Sequence, residues 1–247
     1  MSVDPYLPYL FVKHTEGWNV DRCTRWMQAV GLPVEFFYPL SGLPFPEPAR
    51  YAGVVVFGGR WSANDAHAED WVLPEQRFIE RCLHSATPYF GVCLGAQMLA
   101  HVCGARVSAR DDGAAEVGFH RVLPGPHGRH FLPAPMTVMQ WHTEGFELPS
   151  GARLTATGEL FPNQAFELSE RVVGVQFHPE VNPDVLTIWQ ARHRARKPHD
   201  LSDAQRAQHM VDAVRHDAAI TGWVDGFLSG WTGRAGYPIH EDISLHA

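Results

Sequence analysis

One cysteine of this chain stands where it could act as a nucleophile. In Pro88-Tyr89-Phe90-Gly91-Val92-Cys93-Leu94-Gly95-Ala96-Gln97 it falls between two glycines, after a short apolar run. That order reads as a buried strand, a sharp turn carrying the thiol, and a helix from Ala96 to Val102. The glycines leave room for a tight turn, and a helix N-terminus aimed at the sulfur favours the thiolate. Far downstream, Gly174-Val175-Gln176-Phe177-His178-Pro179-Glu180 reads as a strand ending in a histidine, with a carboxylate two residues on. Cys93, His178 and Glu180 therefore offer a nucleophile, a base and an orienting acid, the three parts that acyl transfer requires.

The elements that must position these groups follow from periodicity. Tyr6 to Val12, Pro33 to Tyr38 and the wholly apolar Tyr51 to Phe57 read as strands, the last as a parallel strand covered on both faces. Trp18 to Val30 and Leu73 to Leu83 have helical spacing. This alternation predicts an α/β fold with a mainly parallel central sheet flanked by helices. The middle of the chain then changes to short strands at Glu116 to Leu123, Thr137 to Trp141, Ala152 to Thr157, Gln164 to Leu168 and Val172 to Phe177. Proline and glycine turn signals separate them. After Pro183 the chain reads as helical: Ser202 and Asp203 make a helix start, with Met210, Val211 and Val214 on one face. Ile220, Trp223, Phe227, Leu228 and Trp231 continue a stripe. We expect a single domain over 1–247, with 182–247 as a helical C-terminal appendage.

Composition narrows the function classes. The formal net charge of -7 argues against a nucleic-acid-binding surface, and the basic cluster His193, Arg194, Arg196, Lys197 and His199 reads as a solvated helix end. No apolar run reaches membrane-spanning length and the N-terminus lacks a signal pattern, so a soluble cytoplasmic protein is expected. The four cysteines lack paired spacing, and Cys23, Cys82 and Cys103 read as small buried hydrophobes on helices. Neither a metal nor a cofactor is expected.

The pairing of Gly91-x-Cys93-x-Gly95-x-Gln97 with Phe177-His178-Pro179-Glu180 resembles the class I, triad-type glutamine amidotransferases. The segments Gly58 to Asp65, Glu116-Val117-Gly118 and Gln140-Trp141-His142-Thr143-Glu144 are similar to the GMP-synthase-like subgroup of that family. Arg60 stands where that subgroup commonly has proline, and Glu144 where it often has aspartate. The resemblance implies a flavodoxin-like fold with added short antiparallel strands and C-terminal helices. It implies hydrolysis of the glutamine side-chain amide through a γ-glutamyl thioester on Cys93. The backbone amides of Gly59 and Leu94 would form the oxyanion hole, and Gln97, Trp141 and His142 would hold the glutamate portion of the substrate.

Other readings stand beside this one. Cys93 could be a core cysteine, Gln97 an ordinary helix former and Gly58-Gly59 only a turn, while His142 either contacts substrate or satisfies a loop hydrogen bond. Because no phosphate loop or second α/β unit is visible in the chain, any ammonia would pass to a separate synthetase subunit. A self-sufficient γ-glutamyl hydrolase or peptidase would use the same thioester chemistry. A cysteine-containing α/β-hydrolase of the dienelactone hydrolase kind would place its acid before the histidine, the reverse of the order here. A catalytically silent binding or regulatory protein would be expected to lack a member of the triad. A homo-oligomer is compatible with the aromatic C-terminal stripe.

Overall fold

The structure, a computed structural model, describes residues 7–197 and 199–233 of the 247. Five short strands run parallel: β1 (Tyr9–Val12), β2 (Val34–Phe37), β3 (Gly53–Val56), β4 (Tyr89–Val92) and β11 (Val172–Val175), in the order β2-β1-β3-β4-β11. The expected start of the first strand at Tyr6 lies outside the described residues. Antiparallel strands extend the same sheet beyond β11. They are β10 (Asn163–Ser169), β9 (Arg153–Thr157), β6 (Glu116–Pro124) and β7 (Met136–His142). The result is a mixed nine-stranded sheet of flavodoxin-like character with helices on both sides. A separate two-stranded ribbon pairs β5 (Val107–Ala109) with β8 (Glu144–Phe146). Each of its strands is three residues long, too short to leave a periodic trace in the sequence.

Alternation along the strands sends two sets of side chains to two cores. Tyr9, Phe11, Val55 and Phe57 join Phe90 and Val92 on one face, under α1 (Arg22–Ala29) and α5 (Asp203–Thr232). Leu10, Val12, Val54 and Val56 join Tyr89 on the other, under α2 (Val72–His84) and α3 (Leu94–Val102). A parallel strand buried on both faces has no polar side to show, hence the uninterrupted Val54-Val55-Val56.

Helix α1 starts at Arg22 and not at Trp18. Asp21 caps it by accepting from the Thr24 amide at 2.9 Å, and Gly17 upstream takes a φ of +82°. Trp18 is buried nonetheless, packed edge-on against Phe57 and Trp189. The first C-terminal helix is α4 (Pro183–Arg196), capped by Asn182. The second, α5, opens with a capping box: Ser202 Oγ accepts from the Gln205 amide at 3.2 Å, and Gln205 Oε1 accepts from the Ser202 amide at 2.9 Å.

The far half of α5 buries Ile220, Val224, Leu228 and Trp231 against the sheet. Trp231 packs on Tyr9 and Phe90, and a Cβ on Gly53 would lie 2.8 Å from its ring, so glycine makes its seat. The near half differs from expectation. Val211 and Val214 are 50% and 67% exposed, and the buried side chains there are Arg206, His209 and Ala213. A polar pair and an alanine facing inward hid the true stripe from a hydrophobicity count.

Close packing of α3 on β3 has a measurable consequence. A Cβ on Gly95 would lie 2.2 Å from the Val56 carbonyl oxygen, while one on the helical Gly222 meets nothing within 4 Å. Gly95→Ala should lower the unfolding free energy by about 1–3 kcal/mol. Gly222→Ala should be neutral or stabilising by up to about 1 kcal/mol. Denaturant unfolding of the two variants checks the contrast.

Candidate active site

Gly59, Cys93, Leu94, Gln97, His178 and Glu180 all follow the C-terminal ends of parallel strands, where open α/β sheets bind ligands, whereas Trp141 and His142 end the antiparallel strand β7. Cys93 follows β4, and β4 lies between β3 and β11. The loop after β3 (Gly58, Gly59) and the segment after β11 (Gln176, His178) therefore flank the thiol from both sides. The Cys93 amide is fixed by a 2.8 Å hydrogen bond to Val175 O.

At the corner Cys93 adopts φ +50°, ψ -106°, one of two non-glycine residues at positive φ among those described. Such backbone costs about 1–3 kcal/mol and persists only where the surroundings impose it. Two contacts impose it. A Cβ on Gly91 would lie 2.6 Å from Gly95 O, and Gly95 is itself packed against the Val56 carbonyl of β3, so strand, turn and helix N-terminus fit closely together. The turn therefore lifts the side chain out of the backbone at the first residue before the helix. Cys93 is 4% exposed.

His178 and Glu180 are also buried, at 3% and 0% exposure. The imidazole Nδ1 lies 2.8 Å from Glu180 Oε1. With Nδ1–H donating to the carboxylate, Nε2 is turned to the other side of the ring. A Cβ on Gly58 would lie 2.7 Å from His178 Cε1 and 3.3 Å from Cys93 Cβ, so both side chains crowd the same glycine. Burial alone pulls the imidazole down. The Glu180 carboxylate and Cys93, together with hydrogen bonds to both, outweigh it and push His178 up to about 10. The arrangement is suited to an imidazolium beside a nucleophilic sulfur.

The other cysteines are poor competitors. Burial pushes Cys23 well up, Cys82 up to about 12 and Cys103 up as well, which keeps them as thiols. Cys23 and Cys82 are fully buried on helices as expected, whereas Cys103 sits just past the end of α3 and is half-buried.

The Leu94 and Gly59 amides donate to no acceptor among the described residues. Gln97 is buried, and its Nε2 donates to Glu144 O at 2.9 Å and to Gln176 Oε1 at 3.2 Å. His142 has both ring nitrogens engaged. Nδ1 lies 2.9 Å from Glu144 O, and Nε2 lies 3.0 Å from Glu116 Oε2 and 3.1 Å from Gln140 Oε1. Trp141 is half-buried and packs edge-on against Trp189 of α4, whose ring in turn meets His178 at 4.9 Å and 89°.

Three contributors lay beyond sequence reasoning. Gln176 places Nε2 3.7 Å from Cys93 Sγ; its position two residues before His178 was the one available signal. Trp189 walls His178 from α4. Arg22, on α1, holds the segment that carries the carboxylate. Its amide donates to Glu180 O at 2.9 Å, its guanidinium donates to Pro179 O and Val181 O, and it pairs with Asp217 of α5. Among the described residues no group of three or more His, Cys, Asp or Glu is placed to hold a metal ion. No helix there is long and apolar enough to cross a membrane.

Comparison with known proteins points to one family. A model of the glutamine amidotransferase class-I family matches residues 24–187, which include Cys93, His178 and Glu180. Gamma-glutamyl peptidase 3 of Arabidopsis thaliana is 26% identical over 223 residues, spanning 85% of this chain and 88% of that protein. The glutamine-hydrolysing GMP synthase of Aeropyrum pernix is 29% identical over 218 residues, spanning 80% of this chain but 40% of that protein. Among solved structures, a glutamine amidotransferase from Thermotoga maritima superposes with a TM-score of 0.82. Its identity is 26%, over 92% of this chain and 98% of that one.

Two outcomes test the site as built. The raised value of His178 adds stability that is fully present below its ordinary value of about 6.5 and is lost as pH rises through about 10. The stability gap between wild type and Glu180→Gln, read from urea unfolding, should narrow between pH 7 and pH 10; a constant gap contradicts the coupling. At position 93, glycine relieves the positive-φ strain that alanine retains. Cys93→Gly should match or exceed Cys93→Ala in stability, reversing the usual order.

Proposed function

The chain belongs to the class I glutamine amidotransferase family, and from that premise we propose that it hydrolyses γ-glutamyl amides through a thioester on Cys93. The observation that carries this reading is the Cys93 thiol, held at a strained corner between the Gly58-Gly59 loop and the buried His178–Glu180 pair.

In this reading Cys93 Sγ, as thiolate, attacks the γ-carbonyl carbon. A C–S bond forms and the carbonyl electrons move to oxygen. The Leu94 and Gly59 amides donate to that oxyanion. His178 then gives its proton to the leaving nitrogen as the C–N bond breaks, releasing ammonia or an amine. Water attacks the thioester with His178 taking its proton, and glutamate departs as the thiolate is restored. Glu180 keeps the imidazole in the required tautomer and balances its charge. Gln97 and the Trp141 segment hold the glutamate portion, and His142 braces the Glu144 carbonyl against Gln97.

Glutamine is the first substrate to consider. The ammonia would then pass to a separate synthetase, as the partial coverage of the GMP synthases suggests. A second reading, self-sufficient hydrolysis of γ-glutamyl peptides, is favoured by the near full-length match to a γ-glutamyl peptidase.

Glutamate release from glutamine and from a γ-glutamyl dipeptide, with Cys93→Ala as blank, separates these. Cys93→Ala should abolish release while leaving the protein folded, a loss of at least about 1000-fold. Faster release from the dipeptide supports the peptidase reading. Release from either substrate that is equal in Cys93→Ala and wild type would refute both readings.

A further inference from the structure

His14 follows β1 by two residues and borders the Gly58-Gly59 loop. Its side chain and that of Glu75 on α2 are both fully buried. Trp61 and Trp71 enclose the ring, with centroids at 6.2 and 5.0 Å. Nδ1 lies 3.2 Å from Gly58 O, and Nε2 lies 3.0 and 3.2 Å from the two Glu75 oxygens.

Hydrogen-bond chemistry settles which atom donates. A backbone carbonyl can only accept, so the hydrogen bond to Gly58 O requires a proton on His14 Nδ1. A further proton then lies between Nε2 and Glu75, whether on the ring or on the carboxyl. Glu75 thus locks the tautomer that donates to Gly58, as a carboxylate locks a metal-bound or catalytic histidine.

The consequence reaches the next peptide unit. In a planar trans peptide the C=O of Gly58 and the N–H of Gly59 point in opposite directions. Among the described residues every peptide is trans. Gly58 O is pinned on the His14 side, so the Gly59 N–H is turned away from His14. The loop itself is squeezed between His14 and the thiol. A Cβ on Gly59 would lie 3.1 Å from His14 Cγ and 2.9 Å from Leu94 Cδ2, and one on Gly58 would crowd His178 and Cys93. Two adjacent glycines are free to flip this peptide, and the arrangement needs something to hold it.

We propose that His14 and Glu75 are positioning residues that orient the Gly58–Gly59 peptide so that the Gly59 amide faces the oxyanion. This rests on the thioester reading above and extends it to two residues that touch neither substrate nor sulfur. The family match begins at residue 24, beyond His14.

The test pairs a double variant with a conservative one. His14→Phe combined with Glu75→Leu removes donor and acceptor together, so no buried charge is left unpaired. Turnover of the γ-glutamyl compound used above should fall about 10- to 100-fold in kcat, with KM within about threefold of wild type. Alkylation of Cys93 by iodoacetamide, which forms no oxyanion, should keep its wild-type rate. Glu75→Gln can still donate to Nε2 and so keep the Nδ1–H tautomer, and its kcat should fall less than that of the double variant. Independently of turnover, the 13C shift of the Gly58 carbonyl should move in the double variant.

An unchanged kcat, an unchanged Gly58 shift, or an equal loss of alkylation would overturn the orienting role. Equal activity in Cys93→Ala and wild type would instead sink the thioester reading on which it rests.

Discussion

The site depends on a contact between two backbones. Helix α3 comes close to β3 at Gly95, whose lack of a side chain lets its Cα approach the Val56 carbonyl. From that contact the rest follows in order. The helix begins close against the sheet, so the chain turns from β4 into α3 within one residue, and that residue takes positive φ. The side chain on that corner sits at the C-terminal end of the sheet, at the margin of the core that holds Phe57, Val92 and Phe177, and is 4% exposed. The apolar strands around it, buried on both faces, are rigid enough to bear the strain.

Around this corner the protein buries several titratable side chains in pairs. Lys13 with Asp21, His14 with Glu75, His142 with Glu116 and His178 with Glu180 are four hydrogen-bonded pairs of a carboxylic side chain with an ammonium or imidazole group, at or next to the ends of strands, every one almost wholly enclosed. Enclosed pairs contribute little net stability, since desolvation offsets most of their attraction. Their value here is directional. Each carboxylate selects one tautomer or one rotamer of its partner, and the partner in turn holds a backbone group or a reactive atom. Lys13 does the same with Asp21, whose other oxygen caps α1 and so presents Arg22 to the loop of Glu180.

Arg22 ties this electrostatic layer to the helical C-terminal region. It joins the Pro179–Val181 backbone to Asp217 and Thr221 of α5, while Trp189 of α4 packs edge-on against His178. The C-terminal helices thus contact the elements that hold the histidine and its carboxylate, as well as covering one face of the sheet. Burial lowers the Arg22 guanidinium from its ordinary value, and the hydrogen bond and charge of Asp217 oppose that shift.

Much of this was legible in the chain. Strand–turn–helix around Cys93, the late His178-Pro179-Glu180, the parallel apolar strands and the Ser202 cap all rest on short-range rules: glycine next to a tight turn, branched apolar runs in buried strands, a hydroxyl before a helix. Local spacing carries such information because it depends on residues a few positions apart. What tertiary structure alone decided was who meets whom. Neither the three-residue ribbon strands nor the inward-facing Arg206 and His209 follow a period. His14 with Glu75, Arg22 with Glu180 and Trp189 with His178 are 61, 158 and 11 positions apart. Their encounter is set by the strand order that places β1, β3, β4 and β11 side by side. Sequence determined which groups could do chemistry; the sheet's crossing order, through the long-range packing of its two cores, decided which of them are held in place to do it.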